Sequence, residues 1–314
     1  MQEIEEKFNQ LSTALVDWVG YNGLSLNIKK TNCMIFSRTR NFDHSTFQPK
    51  INNIPIAMKQ TVRFLGVLVD NKLKWKQHVH AVRNKMSRYL GIMYKLRHVL
   101  PQPARLTIFH SFVQSHLNYC ALVWGFSAKS NIESLFRTQK KGIRATMTGY
   151  VKYFYKDGII PSHTKSTFVE HKILTAHSII IKNALLFMHK IYCFPSQLPV
   201  SIRNTIPDNA PSDSFELSHE TCSAWLERYN NQIYRNSIFF KGPLLYTDMS
   251  NSYPNWNSCF STNSLKKNIK RILREIQAKG DNVEWQADNF KLYNIQGPRK
   301  SKRIAQNSSS ISYL

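Results

Sequence analysis

The spacing of apolar residues predicts a helix at the start of the chain, followed by short strands. Between residues 3 and 19, apolar side chains recur at steps of three and four, the period of an amphipathic α-helix. They are Ile4, Phe8, Leu11, Leu15 and Trp18. The runs 33–37, 53–58 and 61–70 have strand character, and Pro55 suggests that the middle strand lies at an edge or contains a bulge. We therefore expect a helix packed on a small antiparallel sheet.

From Trp75 onward the apolar residues follow a helical period. The stripe of the first helix consists of Val79, Val82, Met86, Leu90, Met93 and Leu96. A second helix is predicted from about Ala104 to Leu117, and a third begins after Ser130. Lysine and arginine fall mainly outside these stripes, so each helix should bury one side and expose cations on the other.

The rest of the chain is predicted to be mainly helical. An apolar helix is expected over 167–192, and the proline-rich stretch from Pro195 to Pro211 is interpreted as a domain boundary. The later elements are a helical start near Trp225, a turn at 242–243, a basic helix at 264–277 and a disordered tail at 297–314. The predicted fold class is α+β, with a small antiparallel sheet and its helix preceding a mainly α-helical part.

The positive charge of the chain is strongly concentrated. Its 314 residues include 43 Lys and Arg against 19 Asp and Glu, a net charge of +24. Residues 59–145 hold sixteen of the basic side chains but only two acidic ones, Asp70 and Glu133, a net charge of +14. Such a field suits a phosphate backbone, since each Lys or Arg near a phosphate releases condensed counterions. RNA or DNA is therefore the favoured partner, with a membrane surface or a merely solvated basic face as alternatives.

Several other classes of protein are disfavoured. No stretch approaches the run of about eighteen apolar residues typical of a membrane span, and the N-terminus is unlike a signal peptide. We therefore expect an intracellular protein of the nucleus or cytoplasm without a membrane partner. Five cysteines without a C-x-x-C pair indicate reduced thiols, and no metal site is expected. The absence of G-x-S-x-G, a glycine-rich phosphate loop and H-x-x-x-H argues against a hydrolase.

Three motifs occur in order at compact spacing. They are LSLNIKKTNCMIF at 24–36, TVRFLGVLVDNKLKWKQHV at 61–79 and HLNYCALVWG at 116–125. Together they resemble the downstream half of a reverse transcriptase from a jockey-like non-LTR retrotransposon. The resemblance covers roughly residues 2–275, and its specific motifs lie in the first 150 residues.

The resemblance implies a division of the chain into the end of a polymerase palm, a thumb and a downstream region. The expected units are a palm remnant at 1–73, a helical thumb at 74–150, a helical connector at 151–211, a C-terminal region at 212–296 and a disordered basic tail at 297–314. The palm remnant contains the sheet, and the thumb contains the three basic helices.

The first motif carries a candidate catalytic residue. The resemblance places Lys30, flanked by Asn27 and Thr31, near the departing pyrophosphate. A lysine at that position could donate a proton or stabilise the negative charge that builds on the leaving phosphate. The alternative interpretation is a surface lysine before a strand.

The second motif carries candidate primer-positioning residues. The resemblance implies that Phe64, Leu65 and Gly66 help to seat the 3′ end of the primer, with Gly66 allowing a close approach of the nucleic-acid backbone. Hydrophobic packing of Phe64, Leu65 and Val67 is the favoured alternative. Asp70 is better explained as a turn former than as a metal ligand.

The third motif leads into the basic helix of the expected thumb. Tyr119 and Trp124 could stack on bases, but core packing explains them better. The family's L-x-x-x-Q-[KR] pattern is represented by Leu135, Gln139, Lys140 and Lys141. The candidate nucleic-acid-binding residues are Lys76, Arg83, Arg88, Lys95, Arg137, Lys140, Lys141 and Arg144.

The catalytic carboxylates of the family are not found in this sequence. Polymerases of this kind use an aspartate pair to hold two Mg²⁺ ions, and the chain contains no Asp-Asp dipeptide. We therefore expect a truncated RNA-directed DNA polymerase that is inactive by itself, has no cofactor of its own and retains a surface for RNA or a primer–template duplex. The alternative is a structural or protein-interaction remnant with no nucleic-acid role. The sequence leaves the oligomeric state open.

Overall fold

A computed structural model describes residues 2–37, 47–147, 164–203, 236–253, 255–258 and 261–279. The fold is α+β, with short strands near the N-terminus and a mainly helical remainder, which confirms the predicted class. The predicted helical start near Trp225 and the tail 297–314 lie outside the described residues.

The N-terminal part contains one long helix and six short strands. They are α1 (Gln2–Tyr21), β1 (Asn32–Cys33), β2 (Lys50–Ile51), β3 (Ile54–Pro55), β4 (Ala57–Met58), β5 (Thr61–Phe64) and β6 (Val67–Asp70). The strands form three separate two-stranded ladders rather than one sheet. β2–β3 and β5–β6 are antiparallel, whereas β1–β4 is parallel.

The predicted single strand over 61–70 is a hairpin. Phe64 pairs with Val67, and the two residues between them, Leu65 and Gly66, have φ angles of 44° and 83°. Positive φ at both central residues is the signature of a two-residue type I′ turn, for which glycine is favoured because it has no β-carbon. The glycine of the second motif is therefore explained first by the geometry of the turn.

Helix α1 forms as predicted, but its apolar stripe is mostly uncovered. Phe8 packs edge to face against Phe47, with ring centroids 5.8 Å apart. Leu11, Leu15 and Trp18 remain exposed. A twenty-residue helix extends about 30 Å, and the two-residue strand β2 that it contacts is far too short to cover it. Among the described side chains of the stripe, the ring contact of Phe8 is with Phe47, just before β2, and the helix covers little of the predicted sheet.

Ten further helices follow the strands in the described part of the chain. They are α2 (Lys76–Leu96), α3 (Gln102–Phe109), α4 (Ser115–Asn118), α5 (Ala121–Trp124), α6 (Lys129–Thr146), α7 (Lys165–Glu170), α8 (Ala176–Cys193), α9 (Val200–Arg203), α10 (Ile238–Ser252) and α11 (Thr262–Lys279). A π-helical turn at His110–Gln114 joins α3 to α4. The predicted helices of the 74–150 region correspond to α2, α3–α4 and α6, and the predicted basic helix corresponds to α11.

Two local predictions in the C-terminal half were wrong. The helix expected over 167–192 is divided into α7 and α8, because Lys172 has a φ of 53° and the chain turns there. The predicted turn at Gly242–Pro243 lies inside α10. The packing at Gly242 is close, since a β-carbon at this position would lie 2.6 Å from Met188 Sδ on α8.

Helix α8 lies at the centre of one contiguous hydrophobic cluster. This cluster extends from Val79 of α2 to Ile276 of α11. Ile179, Ile180 and Ile181 are three consecutive buried residues of α8. A helix that is apolar on all sides must be surrounded by other elements, and α8 indeed packs against α5, α6, α10 and α11.

Two general properties of the described residues bear on function. Cys33, Cys120 and Cys193 are free thiols with partly buried side chains. Within the described ranges, no helix is both long enough and apolar enough to cross a membrane.

Gly142 lies in the packed helical core and should be sensitive to substitution. A β-carbon at Gly142 would lie 2.9 Å from Phe109 Cε2 and 3.0 Å from Leu90 Cδ2, so Gly142→Ala should lower the free energy of unfolding. The expected loss is about 1–3 kcal/mol, typical of an overpacked core. Gly91 on α2 has no atom within 4 Å of an added β-carbon, so the matched variant Gly91→Ala should stabilise by about 0.5–1 kcal/mol. Urea unfolding measures both changes, and equal effects would contradict this packing.

Candidate nucleic-acid interface

His78 joins the β5–β6 hairpin to α2. Its Nδ1 accepts a hydrogen bond from the Leu68 backbone N–H at 3.2 Å, and its ring lies 5.6 Å from that of Trp124. Burial, with the positive charges of Lys85 and Arg63, lowers the pKa of His78 to about 4. The imidazole is therefore neutral near pH 7, and it fixes the hairpin against the helical part.

Asp70 organises the connection from the hairpin to α2. One carboxylate oxygen accepts backbone N–H groups of Lys72 at 3.2 Å and Lys74 at 3.0 Å, and the other accepts that of Trp75 at 2.7 Å. These bonds hold the turn that precedes the first residue of α2. The geometry supports the interpretation of Asp70 as a turn former. In the part of the chain that the structure describes, no group of three or more His, Cys, Asp or Glu could hold a metal ion.

The tip of the hairpin is exposed. Phe64 and Leu65 are 67% and 75% exposed, so the packing expected for these two residues was wrong, whereas Val67 is buried. The Tyr119 hydroxyl donates to the Leu65 carbonyl, and a β-carbon at Gly66 would lie 3.4 Å from the Tyr119 ring. The three candidate primer-positioning residues therefore project from the fold beside an aromatic side chain.

Tyr119 and Trp124 have different environments. Trp124 is fully buried, as expected, and its Nε1 donates to the Tyr119 carbonyl at 2.9 Å. Tyr119 is 52% exposed, so the prediction of core packing was wrong for this residue. The reason is the hairpin contact, because the Tyr119 side chain extends outward to reach Leu65.

An aromatic stack that sequence reasoning missed lies between α2 and the segment formed by the π-helical turn and α4. The ring of Tyr89 is nearly parallel to those of Phe112 and His116, at centroid distances of 4.2 Å and 5.8 Å. Phe112 is exposed. Burial and then the charge of Lys85 lower the pKa of His116, so a cation lies close to the stack. The four-residue spacing of Phe112 and His116 on a predicted helix was the available signal.

We call this region the hairpin surface. It comprises Phe64, Leu65, Gly66, Tyr89, Phe112, His116 and Tyr119. The two parts of this surface adjoin each other. The hairpin contacts Tyr119, and His116 of the aromatic stack lies one helical turn before Tyr119.

The candidate cations of α2 do not share one face. A helix rotates by about 100° per residue, which places Lys76 and Arg83 on the side of Tyr94, whose hydroxyl contacts a backbone carbonyl of α6. The same rotation places Arg88 and Lys95 about 100–120° away from that side, on the face opposite the buried stripe of α2. Lys76, Arg88 and Lys95 are exposed, and Arg83 is partly buried.

Three of the four candidate cations of α6 form one exposed stripe, and the fourth, Lys140, lies elsewhere. Arg137, Lys141 and Arg144 are exposed and are spaced by four and three residues, so they lie on one side of the helix. Lys140 was expected to be exposed with them but is partly buried, with its ammonium 4.2 Å from the centre of the Phe136 ring. Burial lowers the pKa of Lys140. A cation–π contact of this kind is a packing role.

We call the α6 stripe and its α2 neighbours the cationic rim. It comprises Lys76, Arg83, Arg137, Lys141 and Arg144. Among the described residues, no carboxylate lies within ion-pair distance of Arg83, Arg137 or Lys141. Glu133 instead lies 3.4 Å from His177 Nε2. The two acidic side chains of the 59–145 segment therefore contact other groups: Asp70 accepts backbone N–H groups, and Glu133 lies beside His177.

Lys30 lies apart from these surfaces on a short 3₁₀ turn, Ile28–Lys30. The Asn27 side-chain oxygen accepts the Lys30 backbone N–H at 3.2 Å, and the Thr31 hydroxyl donates to the Asn27 carbonyl at 2.9 Å. The residues of the first motif therefore form a capped turn, and the Lys30 side chain is exposed.

Comparison with known proteins identifies a region similar to reverse transcriptases. Over 131 residues, the chain is 24% identical to the probable RNA-directed DNA polymerase from transposon X-element of Drosophila melanogaster. The match covers 41% of this chain and 14% of that protein, so the chain spans only a small part of the length of its relative. No family model matches the chain. No solved structure matches it either.

The docking of the hairpin should be sensitive to pH because of His78. Its pKa is about 4 in the folded state against an ordinary value of 6.5, so between these values the unfolded chain binds more protons. The free energy of unfolding should therefore fall as the pH drops from 6.5 to 4, by about 1–3 kcal/mol from this residue.

The variant His78→Asn isolates this contribution. The amide oxygen of asparagine can replace Nδ1 as acceptor for the Leu68 N–H but does not titrate, so the pH dependence measured by urea unfolding should become shallower. The exposed His80 provides the control, His80→Asn, which should leave the dependence unchanged. A full pH dependence in His78→Asn would exclude His78 as its source.

Proposed function

We propose that this chain is a nucleic-acid-binding part of a jockey-like retrotransposon reverse transcriptase and that it binds RNA or a primer–template duplex. The cationic rim carries this proposal, because Arg137, Lys141 and Arg144 lie on one exposed stripe of α6 beside α2. Among the described residues, no carboxylate lies within ion-pair distance of Arg137 or Lys141. The similarity to a transposon RNA-directed DNA polymerase supports the same class of partner.

The rim and the hairpin surface would make different contributions. Each rim cation that approaches a phosphate releases counterions, which contributes affinity that is independent of sequence and sensitive to salt. The aromatic rings of the hairpin surface could stack on bases, which is also tolerant of sequence. Phe64, Leu65 and Gly66 would position the primer end, as the FLG motif implies.

Binding, rather than polymerisation, is proposed for the chain itself. The sequence contains no Asp-Asp pair, and Asp70 uses its carboxylate on backbone N–H groups. In an assembled polymerase, Lys30 is proposed to lie on the pyrophosphate side, where its exposed ammonium could stabilise the leaving group. Mg²⁺ would be held there by the family's aspartate pair.

A protein-interaction role is the second candidate, and α1 favours it. Leu11, Trp18 and Tyr21 form an exposed apolar side of this helix, and exposed apolar patches commonly mark contacts with other protein segments. Contact at α1 would involve none of the rim residues, so the two roles can be tested separately.

The salt dependence of binding tests the rim. Replacing Arg137, Lys141 and Arg144 together by glutamine should flatten the slope of log affinity against log salt by about 2–3 units on duplex DNA, since each phosphate contact contributes about 0.9. The slope is measured by fluorescence anisotropy of a labelled duplex over a salt series. The side chains are exposed, so circular dichroism should show an unchanged fold.

A control variant with the same change in net charge distinguishes the effect of the rim residues from that of the overall positive charge of the chain. Lys50, Lys59 and Lys172 are exposed and lie outside the rim, and their triple glutamine variant should retain most of the slope. If the two triple variants flatten the slope equally, binding is not localised at the rim. If the unmodified chain shows no binding at low salt, the protein-interaction role becomes the preferred function.

The aromatic stack can be tested separately with single-stranded nucleic acid. Phe112→Ala should weaken binding of a single-stranded oligonucleotide by about 1–3 kcal/mol if one base stacks there, while the salt slope stays the same because no charge is removed. Val99, an exposed apolar residue in the loop after α2, gives the control Val99→Ala, for which no change is expected. Equal affinities of Phe112→Ala and the unmodified chain would remove the stack from the interface.

A further inference from the structure

A second group of cations converges where α4, α8 and α11 meet. Lys182 on α8 is only 7% exposed, and its ammonium donates to Asn118 Oδ1 on α4 at 2.9 Å. Asn183 Nδ2 approaches the same oxygen at 3.5 Å. Lysine is rarely buried to this extent, and here its direct partner is a neutral amide.

Helix α11 brings further positive charge to Lys182. Gln277, near the end of α11, accepts a hydrogen bond from the backbone N–H of Thr175 at the start of α8. Two turns before Gln277, the positive charge of Lys270 acts on Lys182, which lies two turns after Thr175. The two helices are therefore antiparallel along this contact. Lys266 lies one turn from Lys270 on the same side of α11, and the charge of Lys270 also reaches His110 on the π-helical turn.

The electrostatics of this group are unfavourable without an anion. Burial, followed by the charges of Lys270 and Lys266, lowers the pKa of Lys182 to about 8. In the described part of the chain, no carboxylate forms an ion pair with any of these three lysines. Arg274, one turn beyond Lys270, has a buried Nε without a hydrogen-bond partner among the described residues. Buried cations normally have an anionic partner.

An open cleft lies beside this group. Its volume is about 860 Å³, within the range of small-molecule sites. The polar side chains of its lining are those of Asn118, Asn183, His189, Lys190, Gln197, Ser261 and Thr262. Asn118 therefore contacts the buried lysine on one side and faces the cleft on the other.

We propose that this junction binds a phosphate group, with Lys182, Lys266 and Lys270 as its cationic ligands and Asn118 positioning Lys182. The phosphate oxygens would accept hydrogen bonds from the ammonium groups, an arrangement that is stronger than between neutral partners. Two sources share this chemistry, the backbone of a bound nucleic acid and a free phosphorylated small molecule. The proposal does not depend on the cationic rim, because α11 carries none of the rim residues.

Titration with inorganic phosphate tests the site without nucleic acid. The ³¹P resonance of phosphate should shift or broaden saturably with the full chain at neutral pH and constant ionic strength. Lys266→Gln combined with Lys270→Gln should weaken binding by about tenfold for each lost charge-assisted hydrogen bond. The control Lys267→Gln with Lys279→Gln removes the same charge from other exposed positions of α11 and should bind phosphate like the unmodified chain.

The pH dependence and the buried lysine provide a second readout. Phosphate binding should weaken as the pH rises above the Lys182 pKa of about 8, because the neutral amine no longer attracts the anion. The charged and titratable groups that face this junction are Lys266, Lys270, Arg274 and His110, and burial lowers the pKa of Lys270 as well. Lys182→Met keeps the apolar stem and should abolish this pH step, and its helical content by circular dichroism shows whether the fold is retained.

Three results would overturn the proposal. They are a linear, unsaturable response to phosphate, equal losses in the two double variants, and an unchanged affinity in a folded Lys182→Met. An oligonucleotide added to the phosphate complex then identifies the source. Displacement of inorganic phosphate places the site on the path of a nucleic-acid backbone, and retention of phosphate assigns it to a free phosphorylated molecule. Both of these outcomes support a phosphate site.

Discussion

The arrangement of the helical part depends on three glutamines that hold the break between α7 and α8. The chain turns at 171–175, and a buried turn leaves backbone groups that must find partners. Gln139 of α6 is fully buried, and it donates to the Leu174 carbonyl at 2.9 Å and accepts the Ala176 N–H at 2.8 Å. Gln114 also donates to Leu174, and Gln277 of α11 bonds to Ile173 and Thr175. The Gln139 of the L-x-x-x-Q-[KR] pattern thus has a structural role, because it fixes the start of the central helix.

The hydrogen bonds of these three glutamines connect the two charged regions through α8. Helix α8 contacts α6, which carries most of the cationic rim, and α11, which carries Lys266 and Lys270. Because three glutamines from separate segments bond to the same short stretch, α6 and α11 cannot shift independently along α8 without leaving buried backbone groups unpaired. A ligand bound near α11 would therefore meet a rigid surface rather than a separately moving helix.

Periodicity predicted the long helices well because their apolar stripes are long enough to define a face, as in α2, α6 and α11. It failed where one backbone angle or one tertiary contact decides the structure. The run 61–70 contains no Asn-Gly or Asp-Gly turn signal, and the positive φ of Leu65 and Gly66 reveals the hairpin in the structure. Tyr119 lies in an apolar sequence yet points outward, because its hydroxyl reaches a carbonyl 54 positions earlier in the chain. The candidate site was therefore predicted only in part. The sequence identified the cations, but the stack of Tyr89 with Phe112 is a tertiary contact between two segments, which periodicity does not reveal.

The cations show why a count of charge does not by itself define an interface. Arg105 contributes to the basic excess of the 59–145 segment but is buried, and its guanidinium donates to the Arg97 carbonyl at 2.7 Å. Lys140 contributes likewise but lies over Phe136. These side chains stabilise the fold, because a carbonyl or an aromatic face partly replaces the lost hydration. Lys182 is also buried, but its surroundings add positive charge instead of compensating it. A structural cation therefore differs from a ligand-binding one in that the protein itself supplies the compensating partner. At the α8–α11 junction, the described residues supply Lys182 with only the amide oxygen of Asn118.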